Sequence, residues 1–260
     1  MTETLRLPEA LERALTAVST VGIITGAGIS QESGIQTYRG QGGLYDDPSE
    51  GDRTVNALTG ATLQTDPDRT WLAVAGVARQ AMDAQPNTGH RAIVEIEQRA
   101  DRFVLVTQNV DGLHAAAGSS NVIEIHGSIS RTVCMNCHDR GTVNRDFYVT
   151  IKAAPRCHRC DGILRPDVVL FEEMLPLTEL GRMQEQLNDN LPDLVICVGT
   201  TALFPYIVEP VLRAGAEGKL TIEVNPESTY LSAEVDYSLR GRAGDYLPLI
   251  AAGLPTKKPE

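Results

Sequence analysis

The sequence lacks any apolar run close to the roughly 18 residues that a membrane span needs, so no transmembrane segment is expected. It also lacks a surplus of positive charge. Lys and Arg total 23 against 34 Asp and Glu, a formal net charge of −11. Binding a phosphate backbone needs Lys and Arg gathered on one face, so nucleic acid is not an expected partner. The first fifteen residues, MTETLRLPEALERAL, have neither a basic start nor an apolar core. No signal peptide is expected, and the chain is read as cytoplasmic. No internal repeat is present. Cysteine is scarce, with five residues in 260, and four of them fall in two CxxC pairs. In a cytoplasmic chain that usage favours metal over disulfide.

What is present is an ordinary globular composition, with 42 % hydrophobic and 22 % charged residues. The length suits one large domain, or one domain with an insertion, and supports a sizeable core. The densest stretch is Thr107 to Gly127, TQNVDGLHAAAGSSNVIEIHG. Phe103 to Val106 is a strand-type apolar run that ends in Thr107-Gln108-Asn109, and Asp111-Gly112 follows as a turn. Val122 to Ile125 is a second short strand, closed by His126-Gly127. Strands ending in polar residues are expected where a parallel sheet meets its ligand, outside the strands' carboxyl ends. Gln108, Asn109, Asp111 and His126 are therefore placed on one wall of a pocket.

Other segments fit the same α/β pattern. Leu5 to Val18 reads as an amphipathic helix with Leu7, Leu11, Ala14 and Leu15 on one face. Val21 to Thr25 is a strand followed at once by Gly26-Ala27-Gly28-Ile29-Ser30. A GxG there suggests backbone amides approaching a pyrophosphate at a helix N-terminus. The third glycine of the dinucleotide fingerprint is absent, since Gln31 stands there, so a plain β-to-helix turn explains this motif equally well. Ser33 to Leu44 is a glycine-rich loop whose Tyr38-Arg39 pair can fold over a ligand, the Arg reaching a phosphate. Asp46 to Arg69 is polar and is assigned to a surface module with little core. Trp71 to Met82 is nearly all apolar and reads as a buried helix, or as one wall of a dry channel. Thr88 is expected to cap a helix from His90 to Arg99, with His90 structural. Asp193 to Val198 is a strand with Gly199-Thr200-Thr201 at its tip. Tyr206 to Ala214 is a helix, and Leu220 to Val224 a strand ending in Asn225-Pro226-Glu227. Asp236 to Leu239 is an edge strand, and Gly244 to Ala252 a last helix. Five glycine or polar tips at one sheet edge favour a dinucleotide site more than any single motif does.

Between these halves, Cys134, Cys137, Cys157 and Cys160 give C-x2-C-x19-C-x2-C. Four thiolates at this spacing suit tetrahedral zinc, each CxxC turn supplying two ligands. Four protein ligands leave no open position, so the site is read as structural. A zinc ribbon that reads nucleic acid is the competing interpretation, opposed by the charge. A redox pair fits less well, because two CxxC units are present. Cys197 lies in an apolar strand and is read as core. The expected architecture is a Rossmann-like parallel-sheet large domain over 1–130 and 165–260, with a helical and loop module near 40–85. A small zinc module is inserted at 131–164.

Taken together, GAGIS with SGIQTYRG, TQNVDGLH, EIHG, the two CxxC pairs, GTT and EVNPE resemble the sirtuins, the NAD-dependent protein lysine deacylases. The pieces run in that family's order from about residue 20 to 245. The resemblance implies NAD and an acyl-lysine peptide meeting between the large domain and a zinc domain. It implies that Gly26, Ala27, Gly28, Tyr38 and Arg39 hold the phosphates and cover the nicotinamide ribose. Gln108 and Asn109 would position that ribose, and Asp111 the carboxamide. Gly199, Thr200, Thr201, Asn225 and Glu227 would serve the adenosine half, with Ala243 near the adenine. Val168, Val169 and Phe171 would receive the substrate peptide. His126 would be the general base, and Asn109 is also placed among the catalytic residues. In the implied reaction the acyl oxygen attacks the anomeric carbon as nicotinamide leaves. His126 then takes a proton from a ribose hydroxyl, which attacks the imidate carbon. The products are nicotinamide, O-acyl-ADP-ribose and free lysine, and NAD is consumed.

Three departures bear on detail. Relatives that prefer succinyl or malonyl groups carry a Tyr and an Arg where this chain has Val74 and Val77, so neutral acyl groups are expected, acetyl first. The Gly usual after the substrate-strand Phe is replaced by Glu172. Phe204-Pro205-Tyr206 follows the GTT tip where small residues are usual. The alternatives are an NAD glycohydrolase or ADP-ribosyltransferase on the same fold, a nicotinamide dehydrogenase, and a noncatalytic zinc scaffold.

Overall fold

The computed structural model describes residues 5–37 and 48–257. Tyr38, Arg39 and most of the glycine-rich loop lie outside the described residues.

Helix α1 (Glu9–Leu15) opens after Pro8, later than the periodicity predicts. The residue before a proline is driven out of helical geometry, so Leu7 enters the core from the preceding extended chain. Leu11 and Leu15 are buried as expected. Strand β1 (Thr20–Thr25) runs into a 3-10 turn at Ala27–Ser33. The polar segment assigned to a surface module is helical, within the helical and loop module expected near 40–85: α2 (Pro48–Ala57) and α3 (Gly60–Thr65) lead into α4 (Pro67–Asp83). Its few apolar side chains, Leu58 and Leu63, are buried, so it does contribute core. Asp66 caps α4 by accepting from the Arg69 amide at 3.2 Å, with Pro67 in the first turn.

Helix α5 (Thr88–Arg99) is capped by Asn87, not Thr88. The Asn87 side chain accepts from the amides of Gly89 and His90, and His90 Nδ1 accepts from the Asn87 amide. Asn87 also donates to the Ile29 carbonyl at 2.7 Å and to Ser33 Oγ at 3.0 Å. Those contacts with the turn after β1 set the choice of cap, and Thr88 offers none of them. Strand β2 (Arg102–Thr107), α6 (Leu113–Ala117) and β3 (Val122–Glu124) follow. Then come β4 (Gly127–Cys134), β5 (Arg140–Thr142), α7 (Arg145–Thr150) and β6 (Leu164–Val168). Helix α8 (Leu177–Met183) continues as a π turn at Gln184–Asp189. The remaining elements are β7 (Leu194–Val198), α9 (Pro205–Ala216), β8 (Leu220–Val224), β9 (Tyr237–Leu239) and α10 (Ala243–Gly253).

Six strands pair in parallel in the order β3-β2-β1-β7-β8-β9. This is the doubly wound order, with the strand sequence reversing between β1 and β7. The Rossmann-like expectation is borne out, and β9 is the edge strand. Buried parallel strands are apolar on both faces, and β1 shows why. Ile23 faces Leu15, Ile93, Ile96 and Leu247, whereas Ile24 on the opposite face joins Leu187, Ile207 and Val211. Burying such side chains contributes about 1.5–3 kcal/mol each.

The four-cysteine segment forms an antiparallel sheet, β5-β4-β6. It shares a third core with α3 and α4. Trp71 lies 5.8 Å from Phe147 in edge contact, its indole N–H bonds to the Leu164 carbonyl at 2.7 Å, and Tyr148 is fully buried beside it. Trp71, Val74, Ala75 and Ala78 join Ile129, Tyr148 and Leu170 in this cluster. No helix among the described residues is long and apolar enough to cross a membrane.

Candidate active site

The carboxyl ends of β1 and β7 approach so closely that glycine is required there. A Cβ on Gly28 would lie 2.7 Å from Gly199 Cα, and one on Gly26 would lie 2.7 Å from Thr200 Cβ. The Gly28 amide donates to the Gly199 carbonyl at 2.8 Å and the Gly26 amide to Val198 at 3.0 Å. These glycines thus first join two strand tips. The four tips are further cross-linked by side chains. Gln108 donates to Thr200 Oγ1 at 3.0 Å, Asn225 donates to the Thr200 carbonyl at 2.8 Å, and Asn109 donates to the Gly26 carbonyl at 3.1 Å. Asn109 is held from below as well, because its amide donates to Thr107 Oγ1.

A cleft of about 710 Å³ opens at this edge and runs under the antiparallel sheet. Of the residues expected at the site, Gly26, Ala27, Gly28, Gln108, Asn109, His126, Gly199, Thr200, Thr201, Asn225 and Glu227 line it. Val168, Val169 and Phe171 line its far end. Ala243 lies in a smaller adjoining cavity of about 270 Å³ with Gly28, Glu32 and Arg242. Asp111 is not among the lining residues. Its carboxylate accepts from Ser30 Oγ at 2.7 Å and from the Leu113 amide at 2.9 Å, and burial pushes its pKa up against the lowering effect of those bonds.

His126 sits just past β3 on the cleft wall. Gly127 behind it has φ +80° and lies so near the Asp167 carbonyl, 2.1 Å from a hypothetical Cβ, that no side chain fits. That turn aims the imidazole inward. Nδ1 lies 2.9 Å from the Gln108 carbonyl, which only accepts, so Nδ1 carries the proton. Nε2 is then the lone-pair nitrogen, and it accepts from the Tyr206 hydroxyl at 2.7 Å. Burial lowers the His126 pKa, with the Gln108 carbonyl opposing, so the ring is neutral at pH 7 and able to act as a base. Tyr206 was not anticipated as a partner of His126. Its only sequence signal is an unusual aromatic one residue after a helix-starting Pro205.

The substrate-side strand is built tightly. Arg165 grips Glu173 through two nitrogens at 2.7 and 2.8 Å, and also donates to the Val168 carbonyl. Glu173 accepts from the Leu170 amide. The Val169 amide bonds to the His126 carbonyl, and Phe171 bridges to Thr59. Glu172 takes φ +68°, a left-handed conformation that favours glycine. Beyond this strand the cleft is walled by Leu58, Val74, Val77, Ile129 and Leu170, and no Lys or Arg among the described residues lines it.

In the small sheet the sulfurs of Cys134, Cys137, Cys157 and Cys160 lie within 4.8 Å of one another. The Cys134–Cys160 and Cys137–Cys157 separations are 3.5 and 3.7 Å. Tetrahedral legs near 2.3 Å place sulfurs about 3.8 Å apart, so the four fit one zinc. The two knuckles are alike. In each, the residue after the second cysteine, His138 or Asp161, has φ +58° and donates its amide to the carbonyl of the first. A Cβ on Gly162 would meet Cys134 and Cys160 sulfurs at 3.1 and 3.2 Å, so a side chain there would crowd the cluster.

A doubly wound sheet with its cleft at the switch point, a neutral imidazole on the wall and a four-cysteine module beside it define a dinucleotide-binding α/β protein equipped for base chemistry. The chain belongs to the Sir2 family, whose sequence model matches residues 26–204. It is 42 % identical to NAD-dependent protein deacylase 2 of Pseudomonas aeruginosa over 92 % of this chain and 94 % of that one. It is 37 % identical to the NAD-dependent protein deacylase of Thermus thermophilus over 98 % of both. Among solved structures, a Sir2 homologue–NAD complex superposes with a TM-score of 0.84 at 34 % identity, covering 97 % of this chain and 95 % of that one. A Sir2 with a deacetylated p53 peptide and 3'-O-acetyl ADP-ribose gives 0.84 at 25 % identity, over 96 % of this chain and 100 % of that one.

Proposed function

We propose that this chain is an NAD-dependent protein lysine deacylase that prefers neutral acyl groups, acetyl first, and releases nicotinamide, O-acyl-ADP-ribose and free lysine. The observation that carries it is His126. Its Nδ1 is committed to the Gln108 carbonyl, which leaves Nε2 as the lone-pair nitrogen, bonded to the Tyr206 hydroxyl on the wall of a cleft that joins the strand tips to an apolar channel. NAD, as co-substrate, supplies the ribose and the leaving nicotinamide. Gln108 and Asn109 orient that ribose and His126 takes the proton of its hydroxyl, while the carboxamide falls to Asp111, one residue past the lining Val110 though not itself on the cleft wall. Gly26, Ala27 and Gly28, with Tyr38 and Arg39 from outside the described residues, receive the phosphates. Gly199, Thr200, Thr201, Asn225 and Glu227 take the adenosine half, with Ala243 at the adenine.

The acyl-lysine backbone is received by Val168, Val169 and Phe171 as an added strand. Val74 and Val77 line the channel and cannot pair with a carboxylate, which supports neutral acyl groups. One structural zinc on Cys134, Cys137, Cys157 and Cys160 would cross-link the small sheet. The net charge of −11 favours protein over nucleic acid or membrane partners, and reduced metal-type cysteines fit the cytoplasm. The test is nicotinamide release from NAD with and without an acetyl-lysine peptide, beside His126→Ala. Release that requires the peptide, matched by deacetylated product that the variant does not form, is expected. Peptide-independent release would make the chain an NAD glycohydrolase. Succinyl peptides turned over faster than acetyl ones would overturn the acyl preference.

A further inference from the structure

The lone pair of the proposed base is not open to the cleft. The Tyr206 hydroxyl lies 2.7 Å from His126 Nε2. Because Nδ1–H is spent on the Gln108 carbonyl, the phenol must be the donor of that bond. A substrate hydroxyl therefore reaches Nε2 either by displacing Tyr206 or by bonding through it.

Displacement is opposed by how the ring is held. Tyr206 sits in the first turn of α9, between exposed Pro205 and fully buried Ile207. One face stacks on Phe204 at 5.5 Å and 18°, and the His126 ring meets it in edge contact at 6.1 Å. Tyr206 and His126 line the same cleft, and the one lone pair of Nε2 is already taken by the phenol. The phenol oxygen has a free lone pair for a substrate hydroxyl, since a phenol both donates and accepts.

We infer that Tyr206 is a catalytic residue, relaying the proton of the ribose hydroxyl to His126. This rests on the deacylase reading above. The ribose O–H bond breaks as its proton joins the Tyr206 oxygen. The Tyr206 O–H bond breaks as its own proton joins Nε2. The ribose oxygen's electron pair closes on the imidate carbon as the C=N π bond breaks and its pair moves onto the lysine nitrogen. Tyr206 ends neutral with a new proton, and imidazole ends as imidazolium. Burial pushes the phenol pKa up to about 12, so the two transfers occur together rather than through a free phenolate.

The test separates the two halves of the reaction. Nicotinamide–NAD exchange in the presence of acetyl-lysine peptide reports the first bond cleavage, which needs no base. Deacetylated product reports the second half. In Tyr206→Phe the stacked ring stays and only the relaying oxygen is lost. Exchange is expected within about twofold of the unmodified protein, and deacetylation is expected to fall tenfold or more, in the range for one lost proton-transfer group. A proton inventory on single-turnover deacetylation by the unmodified protein, which needs no variant to fold, is expected to curve, as for two protons in flight. Undiminished or faster deacetylation by the variant overturns the relay. So does joint loss of exchange and deacetylation, or a linear inventory. If the unmodified protein neither exchanges nicotinamide nor deacetylates, the deacylase reading itself has failed, and the relay with it.

Discussion

Lowering the pH should destabilise this protein well before its carboxylates titrate, because of two buried histidines behind the cleft. His90 and His114 are 0 % and 2 % exposed, and their rings lie 4.8 Å apart. His90 Nδ1 accepts from the Asn87 amide, so its proton is on Nε2. His114 Nε2 lies 2.9 Å from Thr25 Oγ1, which donates onward to Thr107 Oγ1. His114 therefore donates to Thr25, and its Nδ1 is bare. His90 Nε2 and His114 Nδ1 have no partner among the described residues. A second proton on His114 would find no acceptor at Nδ1, and a second proton on His90 would break the helix cap.

Burial accordingly lowers His90 to about 4 and His114 to about 3. Both folded values lie below the unfolded value near 6.5, so the unfolded chain binds more protons, and stability present above pH 6.5 is lost as pH falls. Each histidine carries about 1.36 kcal/mol per pH unit across the roughly 1.5 units down to pH 5, so the pair removes about 4 kcal/mol. Against a typical total of about 5–15 kcal/mol that is a large share. Urea unfolding from about pH 7.5 to pH 5 should show this fall, and His114→Gln should roughly halve its slope. Stability that stays flat over that interval would refute the reasoning. The Thr25–Thr107 chain ends at the Asn109 amide, so deacylation should fail over the same interval.

Two further outcomes follow from local geometry. Glu172→Gly should raise stability by about 0.5–1 kcal/mol, because relief of left-handed strain exceeds the added unfolded-state entropy of glycine. Glu172→Ala keeps the Cβ and should not, and thermal melts of the two variants decide it. Chelation should release one zinc per chain and red-shift the fluorescence of Trp71, the single tryptophan, since its indole N–H is tied to Leu164 of the small sheet. Metal release without any spectral change would mean that the four-cysteine cluster does not hold that sheet against α4.

Much of the fold was legible because each core strand is a short apolar run with an abrupt polar or glycine tip. Thr25-Gly26, Thr107-Gln108-Asn109 and Gly199-Thr200 all mark carboxyl ends, and the all-parallel order puts them at one edge. The zinc ligands were legible from spacing alone, since two CxxC turns preset two thiolates each. The strands between them were not. In β4 the alternation of buried and exposed positions is interrupted, and all three residues of β5 are exposed, so no period of two survives to be read. The segment before α4 was misjudged for a related reason. It supplies only a few apolar side chains, and Leu58 and Leu63 are buried in a cluster that α4 shares with Ile129, Tyr148 and Leu170, more than sixty residues later in the chain.

The contacts hardest to read are those that set the chemistry, because they join distant parts of the chain. His126 meets Tyr206 across 80 residues, and Asn109 meets Gly26 across 83. Motif order singled out His126 as the proposed base but said nothing of what covers its lone pair. That cover comes from Pro205 starting α9 one residue before Tyr206, which fixes where the ring begins, and from Phe204, which stacks on it. A motif conveys which groups a reaction needs. Whether a proton passes directly to His126 or through Tyr206 depends on the departures from the motif, and here these lie in the three residues Phe204-Pro205-Tyr206.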